Sequence, residues 1–179
     1  MLKALFCFLV LCMIVAQPDP LAASPAYRSY AEGLIANLPK GARFRPDLEA
    51  KLNALAASAR ARAGKPRLKA SRLLRKAARA QAVEMLRGNF VGHRSKSGFR
   101  YKARFEAFAG DEHGDHGENA ARDRQPGPVN SAKARRLFQQ WLDSRGHKRN
   151  LMNRYYRFVS TGAVQIGHHL YAVQIFWEK

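Results

Sequence analysis

The chain contains almost no cysteine. Only Cys7 and Cys12 occur among its 179 residues, and both lie in the first apolar segment. If that segment is removed on export, the remaining protein has no thiol nucleophile, no thiolate metal ligand and no disulfide bond. Cysteine hydrolases, thiol oxidoreductases and disulfide scaffolds are then excluded, and packing alone must stabilise the fold.

Acidic residues are also scarce, with 13 Asp and Glu against 32 Lys and Arg, which gives a formal net charge of +19. Such a charge favours contact with anionic polymers or lipid surfaces, and salt weakens that contact. Because no zinc-finger or RNA-recognition signature is present, we expect no specific nucleic-acid partner. Two interpretations stay open: a solvated basic face, or a binder of anionic envelope polymers through Arg72, Arg75, Lys76 and Arg79.

Long hydrophobic runs are missing as well. A membrane-spanning helix needs about 20 apolar residues, whereas the longest run here, 4–16, has thirteen and follows Lys3. Small residues stand shortly before Ser24. This pattern is typical of a signal peptide over 1–23, so the protein is predicted to be secreted or periplasmic, without a transmembrane span after cleavage.

Apolar periodicity predicts three amphipathic helices and a C-terminal hairpin. The helices cover about 47–63, 71–88 and 130–146, with Gly146 in the left-handed position that closes the third. The hairpin strands are 161–166 and 170–177, and residues 88–129 are interpreted as loop-rich because glycine recurs there. Residues 24–46 form an N-terminal extension with one short helix near 31–38. The fold class is therefore α+β, with helices packed on a small antiparallel sheet.

Three chemically capable side chains stand next to glycine. They are His93, Glu118 and His147, which are 25 and 29 positions apart. Glycine lets segments turn sharply, so we expect these side chains to lie on separate loops that converge. The spacing alone supports either a metal site or a hydrogen-bonded polar cluster. Hydrolase signatures such as Gly-x-Ser-x-Gly and His-Glu-x-x-His do not occur.

The order of these motifs resembles a known family. Helical segments around Leu52 and Met85 are followed by Phe90–His93, Gly117–Ala120, Trp141–Leu151 and the hairpin. This order is similar to that of the CAP superfamily (cysteine-rich secretory proteins, antigen 5 and pathogenesis-related proteins) in its bacterial, SCP-like form. The resemblance assigns residues 47–179 to a CAP domain.

The resemblance implies an α-β-α sandwich with a central cleft. It further implies that His93, Glu118 and His147 line the cleft and hold zinc or another divalent metal. Ser144 stands where many family members have a second glutamate, so the acid pair of those members is incomplete here. Ser144 and Gln174 are expected to line the cleft as well.

These observations predict an exported monomer that binds a small ligand or lipid in the cleft without catalysis. Two other functions stay open. One is a metal-assisted hydrolase that uses the same residues and a bound water. The other is salt-sensitive binding of anionic envelope polymers through the basic helix.

Overall fold

A computed structural model describes residues 20–109 and 114–178. Most of the predicted signal peptide, residues 1–19, lies outside these ranges. Within them, no helix is long and apolar enough to cross a membrane. The described helices are α1 Pro20–Ala36, α2 Pro46–Arg62, α3 Arg75–Gly88, α4 Tyr101–Ala109, α5 Ser131–Asp143 and α6 Arg145–Leu151. The strands are β1 Ala42–Phe44, β2 Lys69–Ala70, β3 His116–Asp123, β4 Phe158–Ile166 and β5 His169–Trp177.

The strands form one sheet in the order β1-β4-β5-β3, and β2 adds to β4. All pairs are antiparallel except β2 with β4. The β4–β5 hairpin turns at Gly167, whose φ of 52° suits glycine, so the predicted hairpin is confirmed. In this order β3 is an edge strand of the sheet.

Helices cover both faces of this sheet. Alternate residues of β5 point to opposite faces. Tyr171 and Val173 pack in a core with residues of α1, α3 and α4, whereas Ala172 and Phe176 pack in a second core with α2 and α5. The predicted α+β class and α-β-α sandwich are therefore confirmed.

Helix ends follow local chemistry. The side chain of Asn130 accepts hydrogen bonds from the backbone N–H groups of Ala132 and Lys133 and so begins α5, as predicted. Helix α3 begins at Arg75 rather than at Ser71, because the Ser71 hydroxyl accepts a bond from the N–H of Leu73 in a turn before the helix. The prediction for Gly146 is wrong, since α5 ends at the extended Ser144 and Gly146 lies inside α6.

The segment predicted as an N-terminal extension packs into the fold. Helix α1 is much longer than the short helix expected near 31–38. Its Tyr27, Ala31 and Leu34 are buried in the core shared with α3 and α4. Burial of these side chains stabilises a helix that runs through Pro25 and begins well before the expected position near 31.

The loop-rich interpretation of 88–129 is wrong in part. This stretch contains helix α4 and the eight-residue strand β3. Both depend on tertiary contacts, since α4 packs on α1 and β3 pairs with β5 along its whole length. These two elements position the candidate site.

Candidate functional site

The three predicted polar residues meet around the edge strand β3. Glu118 lies in β3 and His147 lies in α6, so neither is on a loop as expected; only His93 lies in an irregular segment, between α3 and α4. The Nδ1 atom of His93 is 2.9 Å from Oε1 of Glu118. The ring centroids of His93 and His147 are 6.1 Å apart, with an interplanar angle of 70°. The fold therefore brings together residues that are distant in the sequence.

The His93–Glu118 contact fixes the proton on the imidazole. A carboxylate can only accept a hydrogen bond, so Nδ1 of His93 must be the donor. In the neutral ring, Nε2 is then the unprotonated nitrogen. The side chain of His93 is 51% exposed, whereas that of Glu118 is 1% exposed. Glu118 thus orients His93 from below and leaves Nε2 available to a ligand.

Arg104 is the functional neighbour that the sequence analysis missed. It lies in α4 and its side chain is 0% exposed. Its Nε and Nη2 atoms donate to the two oxygens of Glu118 at 3.2 and 2.9 Å. Arg104 also donates to the backbone carbonyl of His93 and, at 3.4 Å, to the hydroxyl of Ser95. One guanidinium therefore holds both the carboxylate and the segment that carries His93.

Glu118 and Arg104 each stabilise the charged form of the other. Burial alone would raise the pKa of Glu118, but the adjacent Arg104 and the hydrogen bond from His93 outweigh it and lower the pKa below its usual value. Burial likewise disfavours the charged form of Arg104, yet Glu118 raises the pKa of the guanidinium overall. Glu118 is therefore an ionised, fully paired carboxylate at neutral pH.

This pairing changes the donor set for a metal ion. Both Glu118 oxygens face a buried guanidinium, which would repel a cation bound directly to them. Among the residues that the structure describes, no group of three or more His, Cys, Asp or Glu side chains is arranged to hold a metal. The two imidazoles are then the metal-binding groups left at this site, while Glu118 contacts His93.

The surroundings of His147 favour the uncharged form of its imidazole. Burial lowers its pKa, and a positive charge on His93 lowers it further, so the ring is neutral at pH 7. Neutral imidazole is the form that binds metals. The backbone carbonyl of His147 accepts a 3.0 Å hydrogen bond from the side-chain amide of Asn119. The Oδ1 atom of Asn119 in turn accepts a 3.1 Å hydrogen bond from the side chain of Asn150. Helix α6 is thereby fixed to strand β3.

Two cavities open beside the histidine pair. One, of about 380 Å³, is bordered by His147 and Ser144 and has small apolar walls at Val91, Ala120 and Ala121. The other, also about 380 Å³, is bordered by His93 and several basic side chains.

The two residues predicted to line the cleft lie in different places. Ser144 begins α6, accepting a bond from the N–H of His147, and borders the first cavity. Gln174 is fully buried and donates to the hydroxyl of Thr161. Its register opposite Asn119 places it on the face of the sheet away from Glu118.

The four basic residues predicted to bind anions differ in whether they have an acidic partner. Arg79 forms a two-point ion pair with Glu49, and Lys76 pairs with Glu32. Arg72 and Arg75 instead border a third cavity, of about 200 Å³, near strand β4. No salt bridge to either is found among the described residues.

Similar folds occur in solved bacterial structures. An extracellular protein with an SCP domain from Bacillus anthracis matches with a TM-score of 0.60 and 21% identity, over 76% of this chain and 45% of that one. An outer surface protein from Borrelia burgdorferi matches with a TM-score of 0.60 and 15% identity, over 76% and 98%. A cysteine-rich secretory protein from Staphylococcus aureus matches with a TM-score of 0.53 and 19% identity, over 75% and 39%. This chain thus spans less than half the length of the Bacillus and Staphylococcus proteins.

At these identities the structural matches show the fold alone. No curated protein matches the sequence. The sequence does match the model of the cysteine-rich secretory protein family, CAP, over residues 53–177. That range contains His93, Glu118 and His147 and every described element from α3 to β5. The chain therefore belongs to the CAP family.

Proposed function

We propose that this protein is an exported, non-enzymatic binding protein whose site is the His93–His147 pair and the cavity beside it. The observation that carries the proposal is the buried ion pair between Glu118 and Arg104. Because Arg104 occupies both oxygens of Glu118, this carboxylate is not free to react with a ligand. The imidazoles of His93 and His147 are then the groups that contact a ligand.

Catalysis by Glu118 has little physical support. A general base works best when its pKa lies near the operating pH and when it reaches the proton that it removes. The pKa of Glu118 is lowered, its side chain is 1% exposed, and both oxygens accept bonds from Arg104. Ser144, which the family resemblance places where many members have a second glutamate, supplies no acid. The hydrolase alternative would therefore have to use an imidazole of this cluster, and not Glu118, as its base.

A divalent metal suits the remaining donors. Two imidazoles are borderline ligands that favour zinc among the common ions. Nε2 of His93 and a ring nitrogen of His147 are the atoms that would hold the metal. A bound zinc ion would supply open coordination positions for a ligand oxygen or water. The orientation of His93 by Glu118 would strengthen this binding.

The adjoining cavity favours a small ligand. Its volume of about 380 Å³ is close to the lower end of the roughly 300–1,000 Å³ range of small-molecule sites. Val91, Ala120 and Ala121 supply apolar lining to a cavity that the polar His147 also borders. We propose that an apolar group of the ligand lies here while a polar atom faces the imidazoles. The signal-like pattern over 1–23 and the extracellular or surface descriptions of the structural neighbours support export.

Zinc titration tests the histidine pair. We expect wild-type protein to bind one zinc ion at pH 7.5, measured by isothermal titration calorimetry. His93→Ala and His147→Ala should each weaken binding more than about tenfold, because each removes one of two protein ligands.

The hairpin supplies a matched control. His168 and His169 are neighbouring histidines whose ring centroids are 4.3 Å apart at the β4–β5 turn. Their double replacement by alanine should leave the affinity unchanged. If the hairpin variant loses zinc and the His93 and His147 variants keep it, the proposed site is rejected.

A further inference from the structure

The third cavity lies away from the histidine pair. It is bordered by α2, by the segment that leads from β2 into α3, and by β4. β4 is separated from the edge strand β3 by β5, so this cavity and the histidine pair lie at different strands of the sheet. The lining residues that matter here are Asn53, Ser71, Arg72, Arg75 and Thr161.

The walls of this cavity are positively charged. Arg72 is exposed and Arg75 is half-buried, and neither has an acidic partner among the described residues. Glu49 also borders the cavity, but Arg79 holds both of its oxygens at 2.7 and 2.8 Å. One Glu49 oxygen additionally accepts the N–H of Ala163. The acidic residue in the wall is therefore already neutralised, whereas the two arginines are not.

Polar donors accompany the two arginines. Gln174 donates to the hydroxyl of Thr161, which in turn donates to Oδ1 of Asn53. These two hydrogen bonds make Oδ1 of Asn53 an acceptor, so the Nδ2 group of this cavity-lining residue keeps hydrogens to donate. The Ser71 hydroxyl accepts from Leu73 and keeps its own hydrogen to donate. Helix α3 begins at Arg75 without a hydrogen bond to a capping side chain. Its N-terminus carries a partial positive charge, which adds to the positive potential of the two arginines.

We propose that this cavity binds a phosphate group through Arg72 and Arg75, with Asn53 and Ser71 as additional donors. Guanidinium groups donate in a planar fork that matches the oxygens of phosphate. A volume of about 200 Å³ is below the roughly 300 Å³ of ordinary small-molecule sites, so it suits one charged group rather than a whole cofactor. The phosphate belongs either to a free ion or to an anionic lipid headgroup.

This inference is independent of the histidine pair. It uses no residue of that site and requires no metal. It also limits the predicted anion binding to Arg72 and Arg75, because Glu49 pairs with Arg79 and Glu32 pairs with Lys76. Zinc and phosphate binding can therefore succeed or fail separately.

Phosphate titration at constant ionic strength tests the cavity. We expect inorganic phosphate, exchanged for chloride, to raise the unfolding temperature of the wild-type protein, because a ligand that binds only the folded state stabilises it. Arg72→Gln with Arg75→Gln should weaken the phosphate affinity by about tenfold or more, since the loss of even one charged hydrogen bond costs on the order of one factor of ten. Calorimetry measures the same change directly.

A second double variant shows whether phosphate binding depends on this cavity or only on the total positive charge of the protein. Arg135 and Arg149 are exposed residues of α5 and α6, and Arg135→Gln with Arg149→Gln removes the same two charges. This control should keep the wild-type response. Circular dichroism of both pairs establishes that each variant is folded.

Vesicles distinguish the two sources of phosphate. If the wild type responds to inorganic phosphate but ignores phosphatidylglycerol vesicles, the site takes a free ion. If it also binds those vesicles, and the Arg72–Arg75 variant does not, the site takes a lipid headgroup. An equal loss in both arginine pairs, or no response of the wild type to either probe, overturns the proposal.

Discussion

Replacing Arg104 by methionine is expected to reduce the free energy of unfolding by about 3–5 kcal/mol at pH 7, the range for breaking a buried ion pair by removing one partner. The side chain of Arg104 is 0% exposed and that of Glu118 is 1% exposed. Without the guanidinium, Glu118 would stay buried, and His93 would be its one side-chain donor among the residues that the structure describes. Urea denaturation measures the loss, with EDTA present so that no metal contributes.

The loss should depend on pH in a defined direction. In the wild type the pKa of Glu118 is lowered, so this carboxylate stabilises the fold above its unfolded pKa of about 4.3, and that contribution disappears as the pH falls through the lower folded pKa. In the variant, burial acts without Arg104 and raises the folded pKa. The variant then loses stability as the pH rises above about 4.3. The difference between the two proteins should therefore shrink on acidification from pH 7 to 4.

A second replacement shows whether the cost comes from the unpaired charge. Arg104→Met with Glu118→Leu removes both charges, and such apolar replacements of buried pairs are often neutral. The double variant should recover most of the stability at pH 7. Arg100→Met, an exposed residue near the start of α4, is the control and should change the stability little. A pH-independent loss, or a double variant as unstable as the single one, would contradict the ion-pair interpretation.

Elements with their own local signals were predictable from the sequence. Helix α2 has proline at its first turn and leucines at i and i+4, and α5 has an asparagine cap followed by Ala134, Leu137 and Trp141. The final hairpin alternates apolar residues around a glycine turn. In each case the residues that form the element also specify the face that it buries.

Elements that depend on distant contacts were not predictable in the same way. Strand β3 reads His-Gly-Glu-Asn-Ala-Ala-Arg-Asp, without β-branched or large apolar residues, and only its pairing with β5 makes it a strand. Helix α4 did carry a signal, since Tyr101, Phe105 and Phe108 stand at i, i+4 and i+7. The surrounding glycines obscured it. Arg104 was missed together with this helix.

The site was predictable in its members but not in their roles. The family resemblance grouped His93, Glu118 and His147, which no spacing rule would have joined. Their surroundings, however, include Arg104, whose guanidinium donates to both oxygens of the carboxylate that was expected as a ligand. A positively charged residue in an unassigned helix gives no sequence signal for such a contact.

Replacing Gly162 by alanine is expected to destabilise the protein by about 3 kcal/mol, the upper end of the range for overpacking. Gly162 lies in β4 directly beneath α3, and an added Cβ would lie 2.6 Å from Cα of Arg79 and still closer to other backbone atoms of Ala78 and Arg79. Backbone cannot rotate away as a side chain can, so α3 must move off the sheet.

That movement has consequences beyond the contact itself. Displacing α3 shifts Arg79, which pairs with Glu49, and the segment after α3 that carries His93. Gly162→Ala should therefore weaken zinc binding as well as lower the unfolding temperature. Gly33→Ala is the matched control, because a Cβ there meets nothing within 4 Å and alanine favours helix α1 by roughly 0.5–1 kcal/mol. If both variants unfold at or above the wild-type temperature, tight packing of α3 on β4 is contradicted, and the position of His93 must have another cause.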